Sequence, residues 1–309
     1  MRPQRGRTAA LVLGAGGFIG KHLVDALDAD GTPVIAATRT PLVVPHDRIR
    51  NVVDSFVGAD AFDALLGDCK VVVHAAAHST PGSSMTKPQL DGDLRTTMAL
   101  LEALQAHPEC RLVFLSSAGT IYGDRAQPAR EDDPLRPRSY HGAGKAAAEH
   151  FIEAWAAQHD ATAVVLRPSN VYGQGQLARN GFAIVPTAMR CARDGLELQV
   201  YGDGLQVRDY LHVHDLTRLC QTAVHTPLSA GTHVFNASSG VPTALNTLLD
   251  MIGSIVGLPL RRRHVDARRA DVRSALVDPT AAAASLGWRA STPLQQGLEA
   301  TWDWVRTRQ

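Results

Sequence analysis

Three glycines near the start of the chain restrict its fold more than any other feature of the sequence. Gly14, Gly17 and Gly20 follow the short apolar run Ala9–Leu13, which has the length and composition of a buried strand. The next residues, Ile19–Leu27, carry apolar side chains on one face, as an amphipathic helix does. Bare glycine backbone between a strand and a helix lets peptide N–H groups approach a pyrophosphate at the positive end of the helix. The pattern therefore predicts a dinucleotide-binding turn, with a tight turn that binds no ligand as the alternative.

Strands and helices alternate through the first half of the chain. The apolar runs that we interpret as further strands are Val34–Ala37, Val71–His74, Leu112–Leu115 and Ala163–Leu166. The segments that we interpret as helices between them are Ala61–Leu66, Leu94–Gln105 and Lys145–Gln158. Such alternation is typical of a parallel sheet that helices cover on both faces. We therefore expect an α/β protein with a Rossmann-type doubly wound parallel sheet.

The regular alternation stops after Arg167, where glycine and proline become denser. We interpret the remainder as a smaller C-terminal substrate lobe over the carboxyl ends of the strands, where open α/β sheets bind ligands. Two segments, Val207–Leu219 and Val234–Asn236, are expected to return to the main sheet. The predicted dinucleotide-binding domain is thus 1–168 with about 207–236, and the predicted substrate lobe is 169–206 with 237–309.

Composition argues against several other classes of protein. The formal net charge is +1 and the basic run Arg261–Arg263 is short, so we expect no nucleic-acid partner. No stretch approaches the ~20 apolar residues of a membrane span. Glycines interrupt the apolar run after Arg2, Arg5 and Arg7 before it reaches the length of a secretory signal. The cysteines have neither zinc-site nor disulfide spacing. We expect a cytoplasmic protein without a metal and without a membrane partner.

The end of the predicted second strand bears on the choice of dinucleotide. A carboxylate there would bind the ribose 2′-hydroxyl of NAD, whereas an arginine suits the 2′-phosphate of NADP. The sequence has Thr38 and Arg39 at this place and no acid, which favours NADP slightly and leaves the choice open. The alternative interpretation is that Arg39 is a solvated loop residue that contacts no cofactor. Asp54, which ends the apolar run Asn51–Val53, is placed either to accept from the adenine amino group or to cap a helix.

Several motifs occur in an order that is typical of one family. Besides the glycine turn they are the runs Val71–Ala77, Ser116–Gly123, Glu131–Pro137, Lys145–Glu149, Leu166–Gly173, Tyr201–Gly204, Val207–Val213 and Leu286–Trp288. With this ordered set the chain resembles, over nearly its whole length, the extended short-chain dehydrogenases/reductases. Within them it is most similar to the NAD-dependent sugar epimerase/dehydratase family, in particular to members like UDP-glucose 4-epimerase. The resemblance implies a nucleotide-linked sugar as substrate and a homodimer formed through the helices at 94–105 and 142–158.

In this family a tyrosine four residues before a lysine moves the proton of the substrate hydroxyl during hydride transfer. Lys145 matches the lysine, but the residue four places before it is His141. Tyr140 stands five places before Lys145. Positions i and i+4 share one face of a helix, whereas Tyr140 is turned away by about 100°. A neutral imidazole is a base near pH 7. His141 is therefore either the catalytic base or the sign of lost chemistry, as a surface or capping residue.

Two further positions depart from the family pattern. Ala118 stands where many members have the catalytic Ser or Thr, so we expect Thr120, with Ser117 in reserve, to provide the second hydroxyl. Asp93 stands where an asparagine usually opens the helix. The catalytic set implied by the resemblance is thus His141, Lys145, Thr120 and Ser117.

The remaining candidate residues match family positions that contact the ligands. The cofactor set consists of Gly14, Gly17, Phe18, Ile19, Gly20, Arg39, Asp54, Ala75, Ala76, Ala77, Lys145 and Pro168. The substrate set consists of His78, Ser79, Asn170, Tyr201, Arg208, Arg269 and Asp271. Within it Asn170 and Arg208 are expected at the diphosphate, where the planar fork of a guanidinium pairs with phosphate oxygens. Tyr201 either packs on the base or belongs to the core.

The resemblance implies a nucleotide-sugar 4-epimerase, which oxidises the sugar at C4, lets the keto sugar rotate and returns the hydride to its other face. An NADPH-dependent ketoreductase of nucleotide sugars is the alternative, and Arg39 favours it. A third possibility is a non-catalytic protein that holds cofactor and ligand without transforming them. His141 distinguishes the enzymes from the binding protein, because activity that depends on this residue indicates catalysis.

Overall fold

The structure is a computed structural model that describes residues 8–42, 48–81, 85–179 and 182–307. Arg2, Arg5 and Arg7, and with them the start of the predicted dinucleotide-binding domain, lie outside the described residues. The strands in this part of the chain are β1 (Ala9–Leu13), β2 (Val34–Thr38), β3 (Ile49–Val53), β4 (Cys69–His74), β5 (Arg111–Leu115), β6 (Thr162–Pro168), β7 (Asn170–Tyr172), β8 (Leu198–Tyr201), β9 (Val207–His212), β10 (Gly231–Ala237), β11 (Pro242–Ala244), β12 (Arg262–Val265) and β13 (Ser274–Ala275).

Helices connect most of these strands. They are α1 (Phe18–Ala29), α2 (Asp60–Leu66), α3 (Arg95–Leu104), α4 (Ala118–Ile121), α5 (Tyr140–His159), α6 (Ile184–Arg193), α7 (Val213–His225), α8 (Leu245–Val256), α9 (Thr280–Leu286) and α10 (Leu294–Arg306). A π-helical turn, Gln89–Leu94, runs directly into α3. The predicted helix Leu94–Gln105 is therefore preceded by a wider turn, and α5 begins at Tyr140, five residues before its predicted start.

Seven parallel strands form the central sheet in the order β10-β6-β5-β4-β1-β2-β3. β1 lies between β2 and β4, with Leu13 opposite both Ala37 and His74. The strand order reverses at β1, and open parallel sheets bind ligands at the carboxyl ends of the strands beside such a reversal. The predicted Rossmann-type sheet is confirmed, and its reversal point coincides with the glycine turn.

Both faces of the sheet are buried under helices. Successive residues of each strand point to opposite faces, so each strand contributes to both cores. Leu11 and Leu13 belong to one core and Ala10 and Val12 to the other. The first core is completed by α2, α3 and α5 through Phe62, Leu66, Leu100, Leu104, Ile152 and Trp155. The second is completed by α1, α7 and α9 through Leu23, Leu27, Leu216, Leu219 and Leu286. The chain is thus doubly wound, as the alternation predicted.

A smaller unit with a core of its own follows the sheet. Its helices α6, α8 and α10 pack together through side chains such as Met189, Leu249 and Leu298. β8 pairs with β12 in a two-stranded sheet, and β9 pairs with β7, β11 and β13. These contacts define the smaller C-terminal lobe, whereas the domain boundaries given above remain a prediction.

The expectation that Val207–Leu219 returns to the main sheet is wrong for its strand. β9 lies in the small sheet, because the open edge of β6 is already paired along its whole length with β10. The helix that follows, α7, does return and packs on the main sheet beside α1. β10 includes the predicted strand Val234–Asn236 and forms the edge of the central sheet.

Two further observations concern membrane-spanning helices and the cysteines. No helix in the part of the chain that the structure describes is both long and apolar enough to cross a bilayer. The cysteine side chains are buried: Cys69, Cys110 and Cys220 lie in the cores of the central sheet, and Cys191 lies in the core of the small lobe. Burial raises the pKa of the Cys220 thiol to about 12, so this thiol stays protonated.

Candidate active site

One cleft of about 1470 Å³ lies between the carboxyl ends of the central strands and the small lobe. It brings together most of the residues that the sequence singled out. Those lining it are Gly14, Gly17, Phe18, Ile19, Arg39, Ala75, Ala76, Ala77, His78, Ser79, Ser117, Thr120, His141, Lys145, Pro168, Asn170, Tyr201, Arg208 and Asp271. Gly20, Asp54 and Arg269 are not among the lining residues.

The glycine turn leaves backbone exposed where side chains would collide. Gly14 has φ +88°, and a Cβ atom there would lie 2.7 Å from the backbone of Ala76 at the end of β4. A Cβ atom on Gly20 would lie 2.1 Å from the carbonyl oxygen of Gly14, which explains why Gly20 packs α1 against the turn instead of facing the cleft. A Cβ atom on Gly17 would meet only that same oxygen, at 3.2 Å. Gly17 is thus the position where added bulk enters the cleft.

The start of α1 is suited to an anion. The first backbone N–H groups of a helix have no partner within the helix. No side chain caps α1, so these N–H groups remain available to a ligand. The first turn contains no acidic residue, so no carboxylate there repels a phosphate. Lys21 adds a positive charge to the same wall of the cleft. Bare backbone, a helix N-terminus and a nearby cation together fit the pyrophosphate of a dinucleotide.

Arg39 and Asp54 occupy different positions at the far end of this wall. Arg39 is exposed and lines the cleft just beyond β2, whose last residue, Thr38, donates its hydroxyl to the Thr40 carbonyl at 2.7 Å. Asp54 lies outside the cleft and accepts from the backbone N–H of Ser55 at 2.5 Å. This contact stabilises a local turn and is not the helix cap that was the alternative to adenine binding, because α2 begins at Asp60 and its N-cap residue is Ala59.

The opposite end of the cleft contains His141 and Lys145, one helical turn apart on α5. Lys145 is buried, donates to the Leu115 carbonyl at 2.8 Å and lies 4.6 Å from the centre of the Phe114 ring. Burial lowers its pKa, while Asp93 and Glu149 oppose that shift. The imidazole Nδ1 of His141 lies 2.7 Å from the Ser79 hydroxyl. Ser79, predicted at the sugar, thus contacts the candidate base directly.

His141 is neutral at physiological pH. Burial first, and then the charge of Lys145, lower its pKa to about 4, with Asp93 partly opposing both. Its side chain is 6% exposed, whereas the neighbouring Tyr140 is 51% exposed and lies outside the cleft. The side-chain directions therefore agree with the helical spacing, because position 141 and not 140 faces the same side as Lys145.

The hydroxyls predicted near the reacting carbon lie beside this pair. Ser117 precedes α4 and Thr120 lies within it, and both are half-buried in the cleft wall. The adjacent Ser116 has a structural role, because it donates to Glu149, whose carboxylate is 2.6 Å from the guanidinium of Arg167. Thr120 and Ser117 therefore remain the hydroxyls available to a ligand.

Arg208 on β9 supplies a positive charge deep in the substrate side of the cleft. Its two terminal nitrogens donate to the carbonyls of Val207 and Val272, each at 2.8 Å. Burial lowers its pKa, and the nearby Tyr210, Asp271 and Asp124 oppose that shift. Asn170 on β7 lies beside it and donates to the Asp209 carbonyl at 3.2 Å. A fixed, incompletely neutralised guanidinium suits a phosphate.

The predicted pair Arg269 and Asp271 is divided by the structure. Asp271 lines the cleft, but Arg269 is exposed outside it, where its carbonyl accepts from Arg138 at 3.0 Å. Arg268 takes the place in the cleft wall, with its guanidinium 3.7 Å from the centre of the Tyr201 ring. Tyr201 therefore lines the cleft with one face covered by a cation.

Sequence reasoning missed several side chains of the site. Among the described residues of the cleft wall, Lys and Arg outnumber Asp and Glu by eight to two, which suits a ligand rich in phosphate. Arg138, Arg179 and Arg268 belong to this positive lining. Gln89 and Asp93 lie behind the wall and contact Ser79. Only Asp93 gave a signal in the sequence, as a departure from the family pattern.

A doubly wound fold with a glycine turn at the strand reversal and a buried histidine–lysine pair in one cleft is typical of dinucleotide-dependent dehydrogenase-type proteins. Residues 10–238 match the family model of the NAD dependent epimerase/dehydratase family, and the chain belongs to this family. The UDP-glucose 4-epimerase of Mycolicibacterium smegmatis is 32% identical over 314 residues, which cover 96% of this chain and 98% of that protein.

Solved structures show the same likeness. UDP-glucose 4-epimerase from Thermotoga maritima, solved with UDP-glucose, has a TM-score of 0.89 at 28% identity, covering 97% of this chain and 99% of that one. MoeE5, solved with UDP-glucuronic acid and NAD, has a TM-score of 0.87 at 33% identity with the same coverage. The expected membership of the sugar epimerase/dehydratase family is confirmed.

Proposed function

We propose that the protein is an NAD-dependent 4-epimerase of a nucleoside-diphosphate sugar. The observation that carries this proposal is that one continuous cleft joins the glycine turn to His141 and Lys145, with Arg208 on the substrate side. The similar proteins named above act on or bind UDP-sugars, and MoeE5 was solved with NAD. We therefore choose NAD over NADP, since the weak preference for NADP drawn from Arg39 has no support from the relatives.

Each part of the cleft has a role in such a reaction. Bound NAD⁺ supplies a hydride acceptor that can later return the hydride. The glycine turn and α1 hold the pyrophosphate, and Arg208 with Asn170 holds the diphosphate of the substrate. His141 removes the proton from the C4 hydroxyl and returns it once the sugar has turned. Lys145 keeps the neighbourhood positive, which favours the unprotonated imidazole.

Product analysis tests this proposal. The protein is incubated with catalytic NAD and, in separate reactions, with UDP-glucose, UDP-glucuronic acid or dTDP-glucose, and the sugars are followed by proton NMR. Conversion to the C4 epimer without accumulation of NADH supports a 4-epimerase. Stoichiometric consumption of NADPH with a 4-keto sugar would identify the ketoreductase instead. Binding of sugar nucleotide without turnover under either condition would identify a non-catalytic binding protein.

We also propose that the protein is a homodimer that pairs α3 and α5 with their copies. Phe151 on α5 is 54% exposed, and Ala147, one helical turn earlier on the same face, is half-buried. Ala146 and Ala148 are buried within the monomer and do not contribute to this surface. Light scattering at micromolar concentration tests the proposal, with Phe151→Arg expected to shift the protein to a monomer.

A further inference from the structure

Four buried side chains form a connected cluster behind the reactive end of the cleft. We call Ser79, Gln89, Asp93 and His141 the Ser79 cluster. The Gln89 amide donates to the Ser79 hydroxyl oxygen at 2.7 Å and to Asp93 Oδ2 at 2.9 Å. The Ser79 oxygen lies 2.5 Å from Asp93 Oδ2 and 2.7 Å from His141 Nδ1. All four residues are almost fully excluded from solvent.

The number of protons in this cluster decides the state of His141. An ionised carboxylate only accepts hydrogen bonds, so the single proton of the Ser79 hydroxyl must point to Asp93. The Ser79 oxygen then has two lone pairs, and Gln89 donates to one of them. The other can accept only from His141, which requires the proton to be on Nδ1. Nε2 is consequently the unprotonated nitrogen of the neutral ring.

We propose that Ser79 and Asp93 are positioning residues that hold His141 in the Nδ1–H tautomer and so present Nε2 to the substrate as the base. When Nε2 takes the proton of the sugar hydroxyl, the O–H bond breaks, an Nε2–H bond forms and the ring becomes an imidazolium. The carboxylate of Asp93 compensates this charge through the Ser79 hydroxyl, against the opposing charge of Lys145. This inference rests on the proposed function for its catalytic meaning.

The two departures from the family pattern, His141 in place of tyrosine and Asp93 in place of asparagine, thereby have one common explanation. A tyrosine at position 141 would have a single oxygen and no tautomer to fix, whereas a histidine needs an acceptor chain behind Nδ1. Asp93 in place of the usual asparagine provides that chain, because a carboxamide can also donate. An asparagine at this position could reverse the hydrogen bonds and let Ser79 donate to Nδ1, which would place the ring proton on Nε2.

The backbone around the cluster is shaped to admit it. A Cβ atom on Gly144 of α5 would lie 2.1 Å from the amide oxygen of Gln89, so the helix approaches Gln89 only with glycine there. The π-helical turn places Gln89 and Asp93 within reach of the same hydroxyl, and such wider turns are frequent at functional sites. His78 lies 3.5 Å from Asp93 Oδ1, so the carboxylate also faces a second imidazole.

Nitrogen NMR of the ring tests the inference without any need for turnover. The full-length protein is labelled with ¹⁵N-histidine, and the His141 signals are identified by their loss in His141→Phe. We expect the wild-type ring to carry its proton on Nδ1 at neutral pH. Asp93→Asn should move the proton to Nε2, and Ser79→Ala should abolish the single preference. A wild-type His141 with its proton on Nε2 would overturn the inference whatever the enzyme does.

Matched variants separate positioning from a structural role. Asp91→Asn makes the same change on an exposed residue of the same π-helical turn and should leave the ring signals unchanged. For the epimerase, Asp93→Asn should lower kcat at least tenfold in the wild type, yet have a much smaller effect in a His141→Tyr background. Equal losses in both backgrounds would overturn the positioning role. The expected tautomers in a protein without epimerase activity would refute the proposed function and leave the tautomer assignment standing.

Discussion

At the proposed cofactor end of the cleft, the glycine turn Gly14–Gly20 offers mainly backbone atoms to a ligand. At the reactive end the exposed groups are side chains, and His141 is connected through Ser79 to Asp93 behind the cleft wall. Backbone N–H groups at a helix start are supplied by almost any sequence that leaves them uncovered, so this end tolerates little bulk but needs no particular side chain. The reactive end depends on the identity of each side chain, because the positions of its protons follow from which groups donate and which accept hydrogen bonds. The two ends should therefore respond to different kinds of substitution.

The largest expected effect comes from removing the proton-transfer group. His141→Phe keeps an aromatic ring in a buried site but removes both nitrogens, so epimerisation should fall by about 10³-fold or more. Binding of NAD, measured by isothermal calorimetry, should stay within about twofold. His141→Tyr recreates the usual family pair with Lys145 and should retain or raise activity. Unchanged turnover in His141→Phe would mean that another group moves the proton.

The complementary change at the other end adds bulk to the backbone surface. Gly17→Val places a branched side chain where the pyrophosphate must approach, and NAD affinity should fall about a hundredfold. Gly67→Val is the matched control, because Gly67 is exposed after α2 and a Cβ atom there meets nothing within 4 Å. NAD affinity that is unchanged in a folded Gly17→Val protein would contradict the assignment of this turn.

A smaller effect is expected from a charge that only one of the two ligands uses. Arg208→Ala removes a charge-assisted contact of ~1.5–3 kcal/mol, so the affinity for UDP-sugar should fall about tenfold or more. NAD binding should be kept. Arg269→Ala, outside the cleft, serves as the control and should change neither affinity. Equal losses for both ligands in Arg208→Ala would indicate a folding defect instead of a lost phosphate contact.

The last effect concerns stability in acid, where the loss for each pH unit is small. His141 has its pKa lowered to about 4 by burial, then by Lys145, so below about pH 6.5 the unfolded chain takes up a proton that the folded chain resists. Stability should fall as the pH drops from 6.5 to 4, by at most about 1.4 kcal/mol per pH unit for this one group. Urea denaturation of His141→Phe should show a shallower loss. Parallel curves for the two proteins would contradict the buried neutral histidine.

The parts of the molecule that were predicted correctly are encoded locally. β1 begins and ends at the predicted residues, and the glycine turn lies where the spacing placed it. β9 was assigned to the wrong sheet because its pairing depends on β10, which arrives later in the chain and takes the edge of β6. No local periodicity records such competition between distant strands.

The same distinction holds within the site. The spacing between His141 and Lys145 was sufficient to place both on one face of α5, and the structure agrees. The Ser79 cluster was not foreseen, because it depends on the π-helical turn and on the missing Cβ at Gly144, which only the packed structure brings together. The exchange of Arg269 for Arg268 is a shift of one residue in a loop, where no repeating pattern fixes side-chain direction.

The distribution of buried thiols between the two parts of the molecule has a practical consequence. Cys220 is fully buried in the core of the central sheet, so a thiol reagent reaches it only after its surroundings open, whereas Cys191 lies in the core of the small lobe and also borders the cleft. Mass spectrometry of the alkylated protein therefore measures two separate modification rates, one for Cys191 and one for Cys220, without any substitution. Modification of Cys191 before Cys220 would show that the cleft side of the small lobe is reached while the core of the sheet stays closed, and ligands bound in the cleft should slow the modification of Cys191 most.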